Sequence, residues 1–74
     1  MLTAREVEVM NLLIQGLNNK EISDRLSIAT HTTKAHISHI YEKLKVSNRV
    51  QAAIKYYEFL KSDVKQEFST ALTK

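Results

Sequence analysis

Asn18-Asn19-Lys20-Glu21-Ile22-Ser23-Asp24-Arg25-Leu26-Ser27-Ile28-Ala29-Thr30-His31-Thr32-Thr33-Lys34-Ala35-His36-Ile37-Ser38 is the stretch whose reading decides the fold. Asn18 stands three residues ahead of Glu21, the capping-box spacing in which each side chain accepts the other residue's backbone N–H. The spacing predicts a short helix from Asn19 to about Leu26, with Ile22 and Leu26 as its buried pair. Ser23 on that helix is small enough to let a neighbouring helix come close. So short a helix does not persist alone in water and depends on packing. A brief turn, Ser27-Ile28-Ala29, follows, and a longer helix is expected from about Thr30 to Lys45. Thr33, Ile37, Ile40 and Leu44 recur at i, i+4, i+7 and i+11 and form its inward stripe. The opposite face carries His31, Ala35, Ser38 and Glu42, with Lys34 and Lys45 beside them. A solvated helix face usually carries long charged pairs, whereas Ala35 and Ser38 together let the backbone approach another body closely.

The same grammar extends in both directions. Thr3-Ala4-Arg5-Glu6 is a second capping box, with Leu2 and Val7 spaced as its hydrophobic staple. Val9, Met10, Leu12, Leu13 and Ile14 give that first helix a broad apolar face, from Ala4 to about Gln15. Gly16 is its stop, because a left-handed residue closes many helices, and Leu17 beyond it can meet Leu12. Asn48 and Gln51 open a fourth helix that should reach about Leu60. Its apolar residues (Val50, Ala52, Ala53, Ile54, Tyr56, Tyr57, Phe59 and Leu60) cover well over half of its circumference, leaving Gln51, Lys55 and Glu58 as the polar strip. A helix in a small monomer needs an apolar stripe only a little over 100° wide. This one therefore has a second surface to bury, and the expected partner is the same helix of another copy, met through Val50, Ile54 and Tyr57. Residues 61–74 read as a polar tail or a short fifth helix starting near Asp63, with Val64, Phe68 and Leu72 spaced by four. The fold class is all-α: a four-helix domain over residues 1–60, containing a helix-turn-helix over about 18–38.

Composition narrows the function. The chain has 74 residues, no cysteine, one glycine, no proline and no tryptophan. Without cysteine there is no disulfide framework and no Cys-ligated zinc. Tight-turned β architectures need the glycine and proline that are missing. Apolar residues at 43% and charged residues at 26% suit a globular domain. No apolar run is long enough to cross a membrane and no signal pattern opens the chain, so a cytoplasmic location without membrane contact is expected. Lys20, Arg25, Lys34, Lys43, Lys45 and Arg49 oppose Glu21, Asp24 and Glu42, while the remaining five basic and five acidic residues cancel; the net +3 therefore sits between residues 20 and 49. An excess placed there suggests a polyanion partner.

Two helices joined by a tight turn, the second longer and smooth-faced, suit a helix-turn-helix whose second helix enters the DNA major groove. Lys34 can donate to guanine O6 and N7, Ala35 can touch a thymine methyl, Ser38 can serve a polar base edge, and His31 shares their face. Asn19, Lys20, Thr30 and Thr32 are placed for phosphates near helix N-termini; His39 and Lys45 are further backbone candidates. Carrying these features, the chain resembles the LuxR/NarL-type helix-turn-helix domain, the DNA-binding output module of many bacterial response regulators and quorum-sensing regulators. The matching blocks are Leu2-Thr3-Ala4-Arg5-Glu6, Gly16-Leu17-Asn18-Asn19-Lys20-Glu21-Ile22, Thr32-Thr33-Lys34-Ala35-His36, and Lys43-Leu44-Lys45-Val46 followed by Arg49 and Ala52. The resemblance implies a four-helix domain that binds double-stranded DNA as a two-fold homodimer through its last helix, with Lys34, Ala35 and Ser38 at base-contacting positions. It further implies an N-terminal receiver domain in the full-length protein, of which this chain is then a fragment, and RNA polymerase as a further partner.

The resemblance also marks departures. The family usually has serine at position 29 as cap of the recognition helix and valine at position 33. Here Ala29 cannot cap, unless Thr30 takes over one residue later, and the Thr33 hydroxyl needs a partner, for which the Ala29 carbonyl is the nearest expectation. Position 38 is often basic in relatives, so Ser38 implies fewer charged contacts. His31, His36 and His39 do not form a metal set, because His31 points away from His36 and zinc wants three or four converging ligands; no metal or other cofactor is expected. No catalytic triad and no glycine-rich phosphate loop is present, so an enzyme is not expected. Two alternatives stay open: a sigma-factor-like promoter-binding domain, and a helical protein–protein adaptor that binds no DNA.

Overall fold

The computed structural model describes the backbone of residues 2–73 and the side chains of residues 2–61. Four helices follow one another: α1 (Ala4–Leu13), α2 (Asn19–Leu26), α3 (Thr30–Leu44) and α4 (Arg49–Thr73). Both expected capping boxes form. Glu6 N–H donates to Thr3 Oγ1 at 3.1 Å and Thr3 N–H to Glu6 Oε1 at 2.8 Å; Glu21 N–H donates to Asn18 Oδ1 at 2.9 Å and Asn18 N–H to Glu21 Oε1 at 2.8 Å. At the start of α4, Gln51 N–H donates to Asn48 Oδ1 at 2.9 Å, but the Gln51 side chain accepts from Ser47 N–H instead of Asn48.

Three helix ends share one device. Gly16 has φ +92°, Gly16 N–H donates to the Leu13 carbonyl, and Leu17 N–H reaches back to the Leu12 carbonyl at 3.4 Å, the Schellman pattern. α1 accordingly ends at Leu13, two residues before the expected Gln15. Ser27 (φ 57°) and Lys45 (φ 58°) repeat the device, with Ile28 N–H donating to the Ser23 carbonyl and Val46 N–H to the Tyr41 carbonyl, both at 3.0 Å. Only the first of the three is glycine. A left-handed L-residue costs about 1–2 kcal/mol; the long-reach bonds and the half-buried Ile28 and Val46 that follow offset that cost.

α3 departs from expectation at its start. Ala29 is the N-cap and no side chain caps the helix, so Thr30 does not take over. Nor does the Thr33 hydroxyl turn to the Ala29 carbonyl, which already accepts from Thr32 N–H and Thr33 N–H at 3.0 and 3.1 Å. It meets Ser23 Oγ across the α2–α3 contact at 2.6 Å. Ser23 commits its only proton to the Asn19 carbonyl at 2.7 Å, so Thr33 is the donor between the two hydroxyls. Both side chains are buried.

The core gathers Val9, Met10 and Leu13 from α1, Ile22 from α2, Ile37 and Ile40 from α3, and Ala52 and Tyr56 from α4. Leu44, the last member of the expected α3 stripe, packs against it half-buried. Polar ties surround this centre. Tyr56 donates its hydroxyl to Asn11 Oδ1 at 2.8 Å. The Arg49 guanidinium donates to the Leu13 carbonyl at 2.9 Å and to the Leu17 carbonyl, joining the start of α4 to the end of α1. Lys43 Nζ donates to Glu6 Oε1 at 2.8 Å, joining the end of α3 to the start of α1. Among the described residues no buried side-chain nitrogen or oxygen lacks a partner.

α4 does not end at Leu60, and no separate helix starts near Asp63. It runs unbroken to Thr73, since neither glycine nor proline occurs after Gly16 to stop it. The expected apolar spacing of Val64, Phe68 and Leu72 concerns side chains outside the described residues.

Two outcomes follow from this packing. Ser23→Ala leaves the Thr33 hydroxyl buried without an acceptor and is expected to cost about 1–3 kcal/mol. Thr33→Val leaves Ser23 bonded to Asn19 and should cost less than about 1 kcal/mol, and the double variant should recover most of the Ser23→Ala loss; urea denaturation of the three variants checks the order. The second concerns Glu6, whose carboxyl is held below its ordinary value, chiefly by the Lys43 ammonium and then by the Thr3 amide, with burial opposing. A depressed carboxylate stabilises the fold fully above its unfolded value of about 4.3 and loses that contribution as pH falls through the folded value. Thermal melts should therefore lose less stability between about pH 5 and pH 3 in Glu6→Gln than in the wild type.

Candidate nucleic-acid interface

The geometry that matters is the face of α3 turned away from the core. Thr33, Ile37 and Ile40 bury the inner side, which leaves His31, Lys34, Ala35, Ser38, His39 and Glu42 exposed along the outer one. All four expected base-reading residues, His31, Lys34, Ala35 and Ser38, lie on this exposed face. No other element of the described chain covers it. The side chains at positions 35 and 38 are short, so the helix axis can come close to an opposing surface there.

Charge grades along the same face. Lys34 takes part in none of the ion pairs among the described residues, unlike Lys20 and Lys43. Glu42 brings a carboxylate one turn beyond Ser38, so the half nearest the α2–α3 turn is the part suited to a polyanion. Because Ala29 caps with backbone alone, the positive end of the α3 dipole is not screened by a side-chain oxygen.

The expected phosphate-contacting residues divide. Lys20, Thr30, His39 and Lys45 are exposed. Lys20 lies 3.2 Å from Asp24, but both side chains are largely in water, and such a pair is worth little enough to be exchanged for a phosphate. Asn19 and Thr32 are only half-exposed. Lys45 stands at the far end of α3, about 16 Å along the axis from Lys34 at 1.5 Å per residue. His36 is half-buried at the edge of the core.

The expected partner-copy residues are also free. Val50, Ile54 and Tyr57 are exposed by 67, 55 and 59%, on the side of α4 opposite Ala52 and Tyr56. Lys61 lies over the Tyr57 ring, 5.8 Å from its centroid. No helix among the described residues is long and apolar enough to cross a membrane.

Sequence reasoning did not find three contacts that position this face. Ser23 and Thr33 lock α2 against α3, Lys43 ties the far end of α3 to Glu6, and Arg49 fixes α4 to the end of α1. For the first pair a signal existed: both hydroxyls fall on inward positions of their helices. The other two are long-range contacts of long side chains, which local spacing does not reveal.

Residues 1–56 match the bacterial regulatory proteins of the luxR family. The transcriptional regulatory protein LnrK of Bacillus subtilis is 55% identical over 53 residues, which are 72% of this chain and 24% of LnrK. The nitrate/nitrite response regulator NarL of Escherichia coli K12 is 45% identical over 53 residues, again 72% of this chain and 24% of NarL. The crystal structure of ChrA, a response regulator of a heme-sensing two-component system, superposes with a TM-score of 0.77 at 41% identity, covering 78% of this chain and 29% of ChrA. The chain thus spans about a quarter of the length of these relatives. It is a member of the luxR family of bacterial regulatory proteins.

Proposed function

We propose that this chain is the DNA-binding output domain of a two-component response regulator. In this reading α3 lies in the major groove of double-stranded DNA, which at about 12 Å wide admits one helix. The observation that carries it is the exposed, small-residue half of α3 from His31 to Ser38, left open by the rest of the described chain. Lys34 donates to a guanine, Ala35 meets a thymine methyl, and Ser38 and His31 take neighbouring base edges. Lys20, Thr30, His39 and Lys45 hold phosphates, with Asn19 and Thr32 in lesser roles because they are half-covered.

A second copy joins through Val50, Ile54 and Tyr57, so that the operator is a two-fold site. Upstream, a receiver domain regulates the pair, and RNA polymerase is a further partner of the bound complex. The reading assigns no catalysis to the domain, in keeping with the family's role as transcriptional regulators.

Lys34→Ala is expected to weaken binding by about 1–3 kcal/mol if the contact to guanine is bidentate, and to relax preference at a single base pair. Electrophoretic titration against matched and mismatched sites, with the site chosen by selection from random DNA, measures both. Unchanged affinity on both sites removes Lys34 from the interface. A log affinity that stays flat against log salt excludes phosphate contacts and favours an apolar protein adaptor.

A further inference from the structure

We infer that α4 pairs with α4 of a second copy as a two-stranded coiled coil over the length of the helix, well past the region shared with the family. The inference rests on the homodimer reading above and deepens it. Two observations support it: a register in the sequence and a shortfall in area.

The register is Val50, Ile54, Tyr57, Lys61, Val64, Phe68 and Ala71, spaced alternately by four and three. This is the a/d repeat of a coiled coil, and it holds for three heptads along one unbroken helix. A 3.5-residue repeat stays on one side of a helix only when that helix supercoils about a partner carrying the same seam. Among the described side chains the seam does not compete with the domain's own core. Ala52 and Tyr56, which are buried in that core, fall at the positions farthest from it. One face of α4 therefore serves its own domain and the opposite face remains for the second copy.

The area argument concerns the short version of the contact. Val50, Ile54 and Tyr57 are the seam's apolar members within the described side chains, and each is already a third or more covered. Three such side chains fall well short of the roughly 800 Å² per partner that a stable interface buries. Carrying the seam to positions 64, 68 and 71 doubles its length. The one polar member, Lys61, lies over Tyr57 of its own helix, which gives the ammonium a place beside the seam. A lone lysine at such a position favours a defined register at some cost in stability. A second copy is the occupant because the seam is self-complementary: every position but Lys61 sets an apolar residue against its own kind.

Sedimentation equilibrium of the whole chain tests the inference, with Val64→Glu, Phe68→Glu, Gln66→Glu and Ile54→Glu as variants. Among the described residues the last core member is Tyr56, and far-UV circular dichroism checks that each variant stays folded. The expected result is a dimer whose dissociation constant rises about tenfold or more in Val64→Glu and Phe68→Glu, while Gln66→Glu, off the seam, changes it little. A dimer insensitive at 64 and 68 but lost in Ile54→Glu overturns the extended coil and leaves the shorter contact standing. A chain that stays monomeric at every concentration overturns both, and a trimer or tetramer overturns the two-stranded form.

Discussion

Everything in this domain depends on how closely α2 and α3 can cross, and that distance is set by two hydroxyls. Ser23 and Thr33 are buried at the contact, 2.6 Å apart, in a chain of donors that ends on the Asn19 carbonyl. Serine and threonine occupy little volume, so the helices approach closely, and each hydroxyl satisfies the other where water cannot reach. Given that spacing, Ile22 from α2 and Ile37 and Ile40 from α3 meet α1 in one core, and the opposite side of α3 is turned outward. A larger side chain at either position would separate the pair and tilt that outer side.

The remaining elements are fastened to this pair by charge. Lys43 holds the far end of α3 to Glu6, and Glu6 at the same time completes the cap of α1. Arg49 holds α4 to the Leu13 carbonyl, which also accepts from Gly16 N–H, and to the Leu17 carbonyl in the turn beyond α1. A guanidinium suits this task because its fork can address two acceptors at once. Each of these contacts joins segments distant in sequence.

Much of this was legible in the sequence. The capping residues of α1 and α2 announced both helix starts, and the i, i+4, i+7 spacing identified the inward side of α3 and, by subtraction, the outward side with Lys34, Ala35 and Ser38. Two of the three left-handed ends were not legible, because Ser27 and Lys45 carry none of glycine's conformational signature and are held there by bonds to residues five positions back. The partner of Thr33 was misread for a related reason: a local acceptor looked nearest, but the backbone had already used it. In α4, the aromatic surplus separated into a buried Tyr56 and an exposed Tyr57, a division that follows from which side faces α1.

The left-handed residues on either side of α3 have one more effect. Ser27 closes α2 ahead of it and Lys45 closes α3 itself, and the residue after each is bonded back to a carbonyl five positions earlier. The helix between them is a rod of fixed length and fixed orientation before it meets anything. An encounter then orders little backbone, and the entropic penalty that a mobile segment would incur on docking is already met during folding.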